Sequence, residues 1–510
     1  MLNATPLLKA YARFRCWQLA RQNPVEAQLK QLFRLLHKAR LTRFGRDHSF
    51  ENISSVIDYQ RCVPLRKWED FWTEYWEQAF PFLNYSTWPG QVNFFTVSSG
   101  TTSGGTKYFP YTPELRRSNI VAGMDILVHH LANCPKSKVL GGKCFMLGGS
   151  TDLVEQAPGI FSGDLSGISN RELPTWVRPF FFPPVGLAKV SDWEQGISRM
   201  AIECVNHDIR MVAGVPAWML ILFEKVRAHL KLESVRLIDL FPKLELLVYG
   251  GVRFDPYLER FKRLLDGSQA DLREVYPASE AFMAVADRGP GDGMRLVLDH
   301  GVFFEFVPVE ELEAEQPTRH WIANVETGIN YAVVLTTCGG VWSYVLGDTV
   351  KFVDTKPHRI LFTGRTAYYM SAWGEHLIED EVQRALRAAS EAKELSITDF
   401  ALGAIHPEKD GKLGHHLYVI EFETPPDTDA QLEGFVEVLD QTLCNLNDDY
   451  RDHSKHYGYG MEMPQVLVAK PGSFEAWMKN RGKHGGQNKV PRFINDQEVF
   501  SGLVDFMDKY

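Results

Sequence analysis

A loop dense in glycine and hydroxyl residues follows a short β-rich run, Val92 to Val97. The loop contains Ser98, Ser99, Thr101 and Thr102, together with several glycines. Glycine allows backbone N–H groups to approach an anion closely, and hydroxyl side chains supply further donors. We therefore predict that the loop contacts phosphate oxygens; the alternative is a surface linker.

The same loop is close to a Walker A sequence but does not complete it. Gly100 and Gly105 have the required spacing, but Thr106 separates them from Lys107, and Tyr108 stands where a serine or threonine would bind magnesium. This disfavours a P-loop fold without excluding phosphate contact.

A second candidate segment, Tyr276-Pro277-Ala278-Ser279-Glu280, ends a predicted strand. An aromatic ring can lie against a purine, a hydroxyl can reach a phosphate, and a carboxylate can hold Mg²⁺. Taken alone, a tyrosine and a glutamate near a strand end are more often packing and surface residues.

Two further segments carry charged groups that could meet a nucleotide. Asp348 ends the segment Ser343 to Asp348, and Arg365 follows in Thr363-Gly364-Arg365. A carboxylate at such a position accepts hydrogen bonds from ribose hydroxyls, while a β-turn is the alternative. Lys489 lies on a glycine-flanked loop near the C-terminus. It is either a solvated cation or a functional lysine delivered to a distant site by motion of its unit.

Alternating strands and helices must position these residues through the middle of the chain. The pattern predicts helices over 114–133, 216–230 and 255–265, and strands at 144–147, 210–215 and 244–249. Residues 1–90 read as helices and loops. Such alternation implies parallel β-α-β units with ligands at the carboxyl ends of the strands.

Short strands replace this pattern after Glu280 and indicate a β-rich subdomain. They are predicted at 282–286, 295–298, 302–307, 331–336, 342–345 and 359–362. A compact α+β unit follows, with helices at 376–389, 429–446 and 473–480, a hairpin turn at 409–412 and a strand at 465–469. The predicted fold is α/β: a large N-terminal body, residues 1–366, and a small mobile C-terminal lid, residues 367–510.

Composition excludes several classes of protein. A net charge of −9 over 510 residues leaves no basic stripe for nucleic acid. The most apolar run, 211–223, is too short to span a membrane, and no secretory signal opens the sequence. Seven scattered cysteines without a C-x-x-C pattern argue against disulfides and a thiolate metal site, and favour the cytoplasm. His415 and His416 are adjacent on a predicted hairpin and therefore point to opposite faces, which disfavours a metal site there. The oligomeric state stays open.

The order of these segments resembles the acyl-adenylate-forming superfamily. A Ser/Thr/Gly loop, a Tyr-x-x-Ser-Glu, a Tyr-x-x-Gly-Asp, a Gly-Arg and a late lysine follow one another between about residues 25 and 500. Ser98 to Lys107 with Phe109-Pro110, and Asn488 to Arg492, most closely resemble the auxin-responsive acyl-acid amido synthetases. This family comprises the plant enzymes that conjugate jasmonate or auxin with amino acids and their bacterial relatives; the chain is similar to a bacterial relative.

The resemblance implies roles for individual residues with ATP and Mg²⁺ as cofactors. Ser98, Ser99, Thr101 and Thr102 would embrace the phosphates. Tyr276 would lie against adenine, Ser279 would contact the α-phosphate, and Glu280 would be catalytic through Mg²⁺. Asp348 would hold the ribose with Arg365 nearby at the hinge, and Lys489 would be the catalytic lysine.

The implied reaction joins a small carboxylic acid to an amine, by family analogy an amino acid, through an acyl-AMP. Two departures from the family pattern are Pro277, where relatives carry glycine or alanine, and Val345, where arginine is frequent. The alternatives are an acyl-CoA synthetase with the same first step and a non-catalytic nucleotide-binding protein. We expect the acid pocket between helix 114–131 and the strands near 210–216 and 248–252, with Trp218, which favours an aromatic or alicyclic acid.

Overall fold

The computed structural model describes residues 3–99, 106–148, 152–184, 193–233, 235–250, 254, 258–366, 369–370, 377–405, 414–447, 450–451, 454, 461–481 and 490–510. These residues form two compact units. The first contains the described residues up to 346 and residues 350–362; the second contains residues 347–349 and the described residues from 363 onward. The predicted domain boundary between residues 366 and 367 stays a prediction.

The described helices lie in both units. In chain order they are α1 (Thr5–Arg21), α2 (Pro24–Ala39), α3 (Arg43–Asp47), α4 (Val56–Cys62), α5 (Trp68–Phe71), α6 (Pro113–Asn133), α7 (Leu165–Arg171), α8 (Trp193–Cys204), α9 (Pro216–Leu230), α10 (Leu237–Leu240), α11 (Leu258–Leu264), α12 (Glu379–Lys393), α13 (Asp429–Leu446), α14 (Ser473–Asn480) and α15 (Gln497–Lys509).

The described strands fall into four sheets. In chain order they are β1 (Phe94–Ser99), β2 (Thr106–Pro110), β3 (Lys143–Met146), β4 (Val154–Ala157), β5 (Ile160–Gly163), β6 (Phe181–Phe182), β7 (Ile209–Gly214), β8 (Leu246–Gly250), β9 (Asp271–Pro277), β10 (Phe282–Val285), β11 (Met294–Leu296), β12 (Val302–Pro308), β13 (His320–Trp321), β14 (Asn330–Thr337), β15 (Tyr344–Thr355), β16 (His358–Arg365), β17 (Tyr369–Met370), β18 (Leu377–Ile378), β19 (Ile397–Ile405), β20 (His415–Phe422) and β21 (Gln465–Ala469).

The largest sheet changes from parallel to antiparallel pairing along its width. Its described strands run in the order β13-β12-β14-β15-β16-β11-β10-β9-β8-β7-β3-β6. Strands β6, β3, β7, β8 and β9 pair in parallel, and β9 then pairs antiparallel with β10. Helices α9 and α11 make the crossovers that parallel pairing requires, which confirms the predicted β-α-β units. The predicted β-rich segment is therefore an extension of this sheet.

A smaller sheet and the N-terminal helices complete the first unit. The small sheet has the order β2-β1-β5-β4. Helix α2 starts where Pro24 occupies the first turn and the Asn23 side chain accepts hydrogen bonds from two backbone N–H groups. The buried Gln28 of α2 donates to the carbonyl oxygens of Leu298 and Val302 at 2.9 Å each, so it ties this helix to the large sheet.

The second unit is built around β19-β20-β21, where β19 and β20 are antiparallel and β20 and β21 are parallel. Helices α12 and α13 form one apolar core with this sheet, and α14 and α15 contribute to another. The predicted hairpin turn at 409–412 and the His406 position lie outside the described residues. His415 is half-buried, whereas His416 is buried beside the Tyr450 ring at 5.9 Å.

Several predicted elements have the bounds that the structure shows. Helices α9, α13 and α14 and strand β21 match residue for residue. The predicted helix 376–389 began too early, since Leu377–Ile378 is a strand and Glu381 accepts the Ile378 N–H at 3.1 Å as a cap of α12. The strand predicted at 342–345 was too short, because it starts at 344 and continues to 355. Within the described part of the chain, no helix is both long and apolar enough to cross a membrane.

We expect two glycines of the second unit to respond in opposite ways to alanine. A Cβ at Gly403 in β19 would collide with the buried Phe500 ring, whereas a Cβ at Gly502 in α15 meets no described residue within 4 Å. Gly403→Ala should reduce the free energy of unfolding by about 1–3 kcal/mol through overpacking. Gly502→Ala should raise it by up to about 1 kcal/mol through helix propensity. Urea denaturation of both variants tests this, and equal midpoints would contradict it.

Candidate active site

The end of β1 and the turn after β9 lie close together in the first unit. The buried Thr96 has its Oγ1 3.3 Å from the carbonyl oxygen of Ser279, to which it can donate. Ser98 and Ser99 are the last residues of β1, where they pair with Lys107 and Thr106 of β2. The structure thus brings the start of the predicted phosphate loop near the Ser279 backbone. Thr101 and Thr102 lie outside the described residues.

The turn between β9 and β10 carries Ser279 and Glu280, and Tyr276 is the last but one residue of β9. Ala278 N–H donates to the Ala281 carbonyl oxygen at 2.8 Å, which closes a tight turn around Ser279 and Glu280. Glu280 is 7% exposed and Tyr276 is 6% exposed. The Tyr276 ring meets Phe362 edge-on at 5.7 Å, so only a small part of the ring faces outward. An adenine contact by Tyr276 stays a prediction.

Lys107 is engaged by neighbours of the first unit. Its Nζ lies 2.8 Å from Glu69 Oε1 and 5.5 Å from the centre of the Trp68 ring. Burial would raise the pKa of Glu69, but the hydrogen bond and charge of Lys107 outweigh it and lower that pKa. This partnership agrees with the sequence argument that Lys107 does not act as a Walker lysine.

A buried polar network, which sequence reasoning missed, holds the start of β15. Glu305 is fully buried and pairs with Arg319 at 2.8 Å, and Arg319 also donates to Ser343 Oγ at 2.6 Å. Ser343 has a φ of 45° and directly precedes β15, the strand that carries Asp348. Val345 packs with Val307 and Val334, so an apolar cluster occupies the position where relatives frequently carry arginine.

Asp348 and Arg365 meet within the second unit. Arg365 Nε lies 3.1 Å from Asp348 Oδ1, and the side chains are 39% and 15% exposed respectively. Gly347 has a φ of 86°, and its carbonyl oxygen accepts the Thr366 N–H at 2.8 Å. The two segments predicted to flank a ribose are therefore in contact with each other.

Gly364 allows α12 to begin directly beside β16. Its φ is 150°, and a Cβ at this position would lie 2.9 Å from the Cβ of Glu379. A side chain at residue 364 would thus collide with the first residue of the helix. Close packing against Glu379 therefore explains the glycine of the Thr363-Gly364-Arg365 motif.

The chain that follows Lys489 is tied to β19. Lys489 itself lies outside the described residues. Leu402 N–H donates to the Arg492 carbonyl oxygen at 2.7 Å, and Ile494 N–H donates to the Leu402 carbonyl oxygen at 2.8 Å. The Arg492 guanidinium pairs with Asp399 and lies 4.6 Å from the centre of the Phe400 ring. These contacts fix the backbone three residues after the lysine.

The elements predicted to surround the acid pack together only in part. Helix α6 shares an apolar cluster with β7 and β8 through Ala122, Ala213 and Val248. Trp218 instead packs with the cluster that contains α9. Among the described residues, none lies within 4 Å of a Cβ placed at Gly123 in α6. Residues 251–252 lie outside the described part.

Comparison with solved structures defines the class of protein. The chain superposes on 2-hydroxyisobutyryl-CoA ligase bound to its acyl-AMP with a TM-score of 0.61 at 15% identity, covering 95% of this chain and 92% of that one. It superposes on the GH3.15 acyl acid amido synthetase with a TM-score of 0.78 at 16% identity, covering 98% and 96%. The fold is that of the acyl-adenylate-forming enzymes.

The chain belongs to the GH3 family. The models of the N-terminal, central and C-terminal domains of this family match residues 15–160, 295–365 and 380–498.

Curated relatives in plants include two kinds of amido synthetase. The indole-3-acetic acid-amido synthetase GH3.15 of Arabidopsis thaliana is 27% identical over 292 residues, which is 52% of this chain and 47% of that protein. The jasmonoyl–L-amino acid synthetase GH3.5 of Oryza sativa subsp. japonica is 27% identical over 274 residues, which is 49% and 45%. The chain spans about half the length of the curated relatives it matches. The family predicted from the motifs is confirmed.

We predict that Lys107→Met has a pH-dependent effect on stability. The partly exposed ion pair with Glu69 should contribute at most about 1 kcal/mol. Because the folded state lowers the pKa of Glu69, this contribution is present above its ordinary pKa of 4.5 and is lost as the pH falls below that value. Urea denaturation at a series of pH values should show a gap in the free energy of unfolding, with Lys107→Met less stable than the wild type near neutrality. This gap should narrow in acid. Lys138→Met, at an exposed lysine, is the control; a gap that does not change with pH would contradict the assignment.

Proposed function

We propose that this protein is an ATP-dependent, AMP-forming ligase that activates a small carboxylic acid as an acyl-AMP and passes the acyl group to an amino acid. The observation that carries the proposal is the match of three GH3 domain models in chain order. The relatives described above are named for amide formation with amino acids. The acyl-AMP-bound ligase of the same fold supports an adenylate as the intermediate.

The first half-reaction requires charge stabilisation. A carboxylate attacks the α-phosphorus in line, and negative charge grows on the phosphoryl oxygens as pyrophosphate leaves. We assign Ser98, Ser99, Thr101 and Thr102 to the phosphates and Ser279 to the α-phosphate. The contact between Thr96 and the Ser279 carbonyl supports this grouping, because it holds the phosphate loop and the Ser279 turn in one neighbourhood.

Glu280 is the residue that we assign to Mg²⁺. A carboxylate oxygen is the ligand that this ion prefers, and one or two carboxylates with substrate phosphates commonly suffice to bind it. The buried position of Glu280 in a tight turn fits that role, because the turn fixes the direction of its backbone. When bound, the ion would supply positive charge beside the phosphates.

The nucleoside end is assigned to Asp348 and Tyr276. Asp348 would accept hydrogen bonds from the ribose hydroxyls, and its ion pair with Arg365 would hold the carboxylate in place. Tyr276 would lie against adenine. Pro277 ends β9 opposite Phe282, so a residue without an N–H occupies the last pair of this ladder.

Lys489 is the cation that we assign to the α-phosphate in the adenylation transition state. We further propose that residues 367–510 rotate about a hinge near Arg365 to separate adenylation from acyl transfer. The independent apolar cores of the second unit support its motion as a body. In the second half-reaction the amine attacks the acyl carbonyl and AMP leaves.

Thioester formation with CoA is the second candidate for that half-reaction. The fold similarity to 2-hydroxyisobutyryl-CoA ligase favours it. The GH3 domain matches favour the amide, and the sequence lacks an evident cluster of arginine and lysine for the CoA phosphates. The apolar surroundings of α6 favour an aromatic or alicyclic acid.

We predict that Lys489→Ala slows adenylation by about 10²–10³-fold, which is typical of losing one charge-stabilising donor. ATP binding should remain, because the loop and the Asp348 segment still hold the nucleotide. Acid-dependent pyrophosphate exchange measures the first step, and calorimetry with ATP measures binding. Lys479→Ala, at an exposed lysine of α14, is the control. Exchange at the wild-type rate in Lys489→Ala would remove this lysine from the mechanism.

The acyl acceptor can be determined separately from the acid. A panel of carboxylic acids is first screened by pyrophosphate exchange, and the acyl-AMP of the best acid is then offered pooled amino acids or CoA. We expect an amide, detected by mass spectrometry, with AMP released in equal amount. A thioester without amide would favour the CoA ligase. ATP binding without exchange for any acid would instead indicate a non-catalytic nucleotide-binding protein.

A further inference from the structure

Three side chains of different chemistry converge in the first unit, where α6 ends and β9 begins. They are His130 in the last turn of α6, Cys134 at its C-cap and Asp271 at the first position of β9. One ligand atom from each, an imidazole nitrogen, the thiol sulfur and a carboxylate oxygen, lies within 4.8 Å of the others. His130 is buried, whereas Cys134 and Asp271 are partly exposed, so the cluster is open to solvent on one side.

The backbone around this cluster is held by short hydrogen bonds. Cys134 N–H donates to the His130 carbonyl oxygen at 2.7 Å, and Ser137 N–H donates to the Cys134 carbonyl oxygen at 3.0 Å. Asp271 N–H donates to the Glu245 carbonyl oxygen at 2.9 Å, which anchors the start of β9 to the neighbouring strand. The three side chains of the cluster thus project from backbone that is already fixed.

The imidazole of His130 is oriented as a ligand to a cation would be. Its Nδ1 faces Asp271 Oδ2 at 3.0 Å, and its Nε2 faces Ser137 Oγ at 2.9 Å. Histidines that bind metals almost always donate their other N–H to a neighbouring acceptor, which fixes the tautomer. Because a carboxylate only accepts, Nδ1–H donates to Asp271 when no ion is present. A bound ion would replace this proton, and the Nε2 proton would then be directed to Ser137.

We propose that His130, Cys134 and Asp271 form a binding site for a Zn²⁺ ion with a fourth position open to water. One nitrogen, one sulfur and one oxygen ligand suit the borderline character of zinc, whereas Mg²⁺ prefers oxygen alone. Metal–ligand bonds of about 2.0–2.3 Å place tetrahedral ligand atoms roughly 3.3–3.8 Å apart.

The positive charge of Arg273 limits which protonation states of the cluster could bind an ion. Its buried guanidinium has Nε 2.8 Å from Asp271 Oδ2. Carboxylates that bind metals are commonly hydrogen-bonded in turn, so this contact fits an outer partner of the site. The positive charge of Arg273 also opposes a dication, and binding therefore requires the Cys134 thiolate as well as the Asp271 carboxylate. Cys134 is therefore the residue whose substitution tests the site most directly.

The site is separate from the proposed nucleotide site. Asp271 and Pro277 lie at opposite ends of β9, and seven residues of a strand span about 20 Å. The ion would join the end of α6 to the amino end of a central strand and would act in folding. The inference does not depend on the proposed reaction, and it departs from the expectation that the scattered cysteines bind no metal.

The test uses the full chain after treatment with a chelator. Zn²⁺ binding is measured by equilibrium dialysis, and Co²⁺ serves as a spectroscopic probe whose thiolate charge-transfer band reports a bound sulfur. We expect one equivalent of Zn²⁺, a thiolate band with Co²⁺, a Tm raised by Zn²⁺ and not by Mg²⁺, and competition between Zn²⁺ and Co²⁺.

Two variants and one control decide the ligand set. Cys134→Ser should abolish the Co²⁺ thiolate band and weaken Zn²⁺ binding by more than the roughly 10–100-fold typical of an outer partner. Asp271→Asn should weaken binding while the thiolate band of any residual Co²⁺ persists. Cys62→Ser, which alters a distant free cysteine, should change nothing. Absence of the band in the wild type, or its persistence in Cys134→Ser, would overturn the site and leave an Asp–His–Ser hydrogen-bond array. If Cys134→Ser does not fold, the wild-type band and Asp271→Asn decide the question.

Discussion

The position of β9 between a parallel and an antiparallel neighbour constrains most of the first unit. On one side β8 runs parallel to β9, and on the other side β10 returns antiparallel after a tight turn. Ligands in open α/β sheets bind outside the carboxyl ends of the strands. Tyr276, Ser279 and Glu280 occupy that place because the chain reverses there. Thr96 then attaches the end of β1 to the same turn.

Buried charged groups hold the strands that carry the motifs. Glu305 and Arg319 form a pair that also contacts Ser343, and Ser343 Oγ lies 3.0 Å from the Tyr59 hydroxyl. Burial, and next the charge of Glu305, raise the pKa of Tyr59, so its hydroxyl stays protonated. Removal of one member of such a network leaves a buried charge without its partner, which costs more than the pair contributes. The network therefore fixes the path of the chain into β15.

The sequence was sufficient for the elements whose ends carry local signals. Pro216 at the first position of α9 and Thr428 before α13 mark helix starts without reference to the rest of the chain, and both helices have their predicted bounds. The predicted start of α12 was wrong because Leu377–Ile378 form a strand with residues 369–370. The periodicity of apolar residues does not reveal such a pairing.

The parts of the site that depend on contacts between segments far apart in the sequence were harder to predict. The order of the motifs identified the family, but the partnership of Lys107 with Glu69 and the network around Glu305 join residues with no common spacing. His130 and Cys134 are four residues apart on a helix end, which is a recognisable ligand spacing. Their proximity to Asp271 depends on how α6 packs on the sheet, and only the tertiary structure supplies it.

The packing of Gly364 against Glu379 has a consequence for how this family can vary. The two residues share a volume that admits only one Cβ, since a Cβ at residue 364 would lie 2.9 Å from that of Glu379. A homologous chain with a side chain at the position of Gly364 should therefore have a displaced helix start at the position of Glu379. The two columns of a family alignment are expected to co-vary, and the compensation would fall at the junction between β16 and α12.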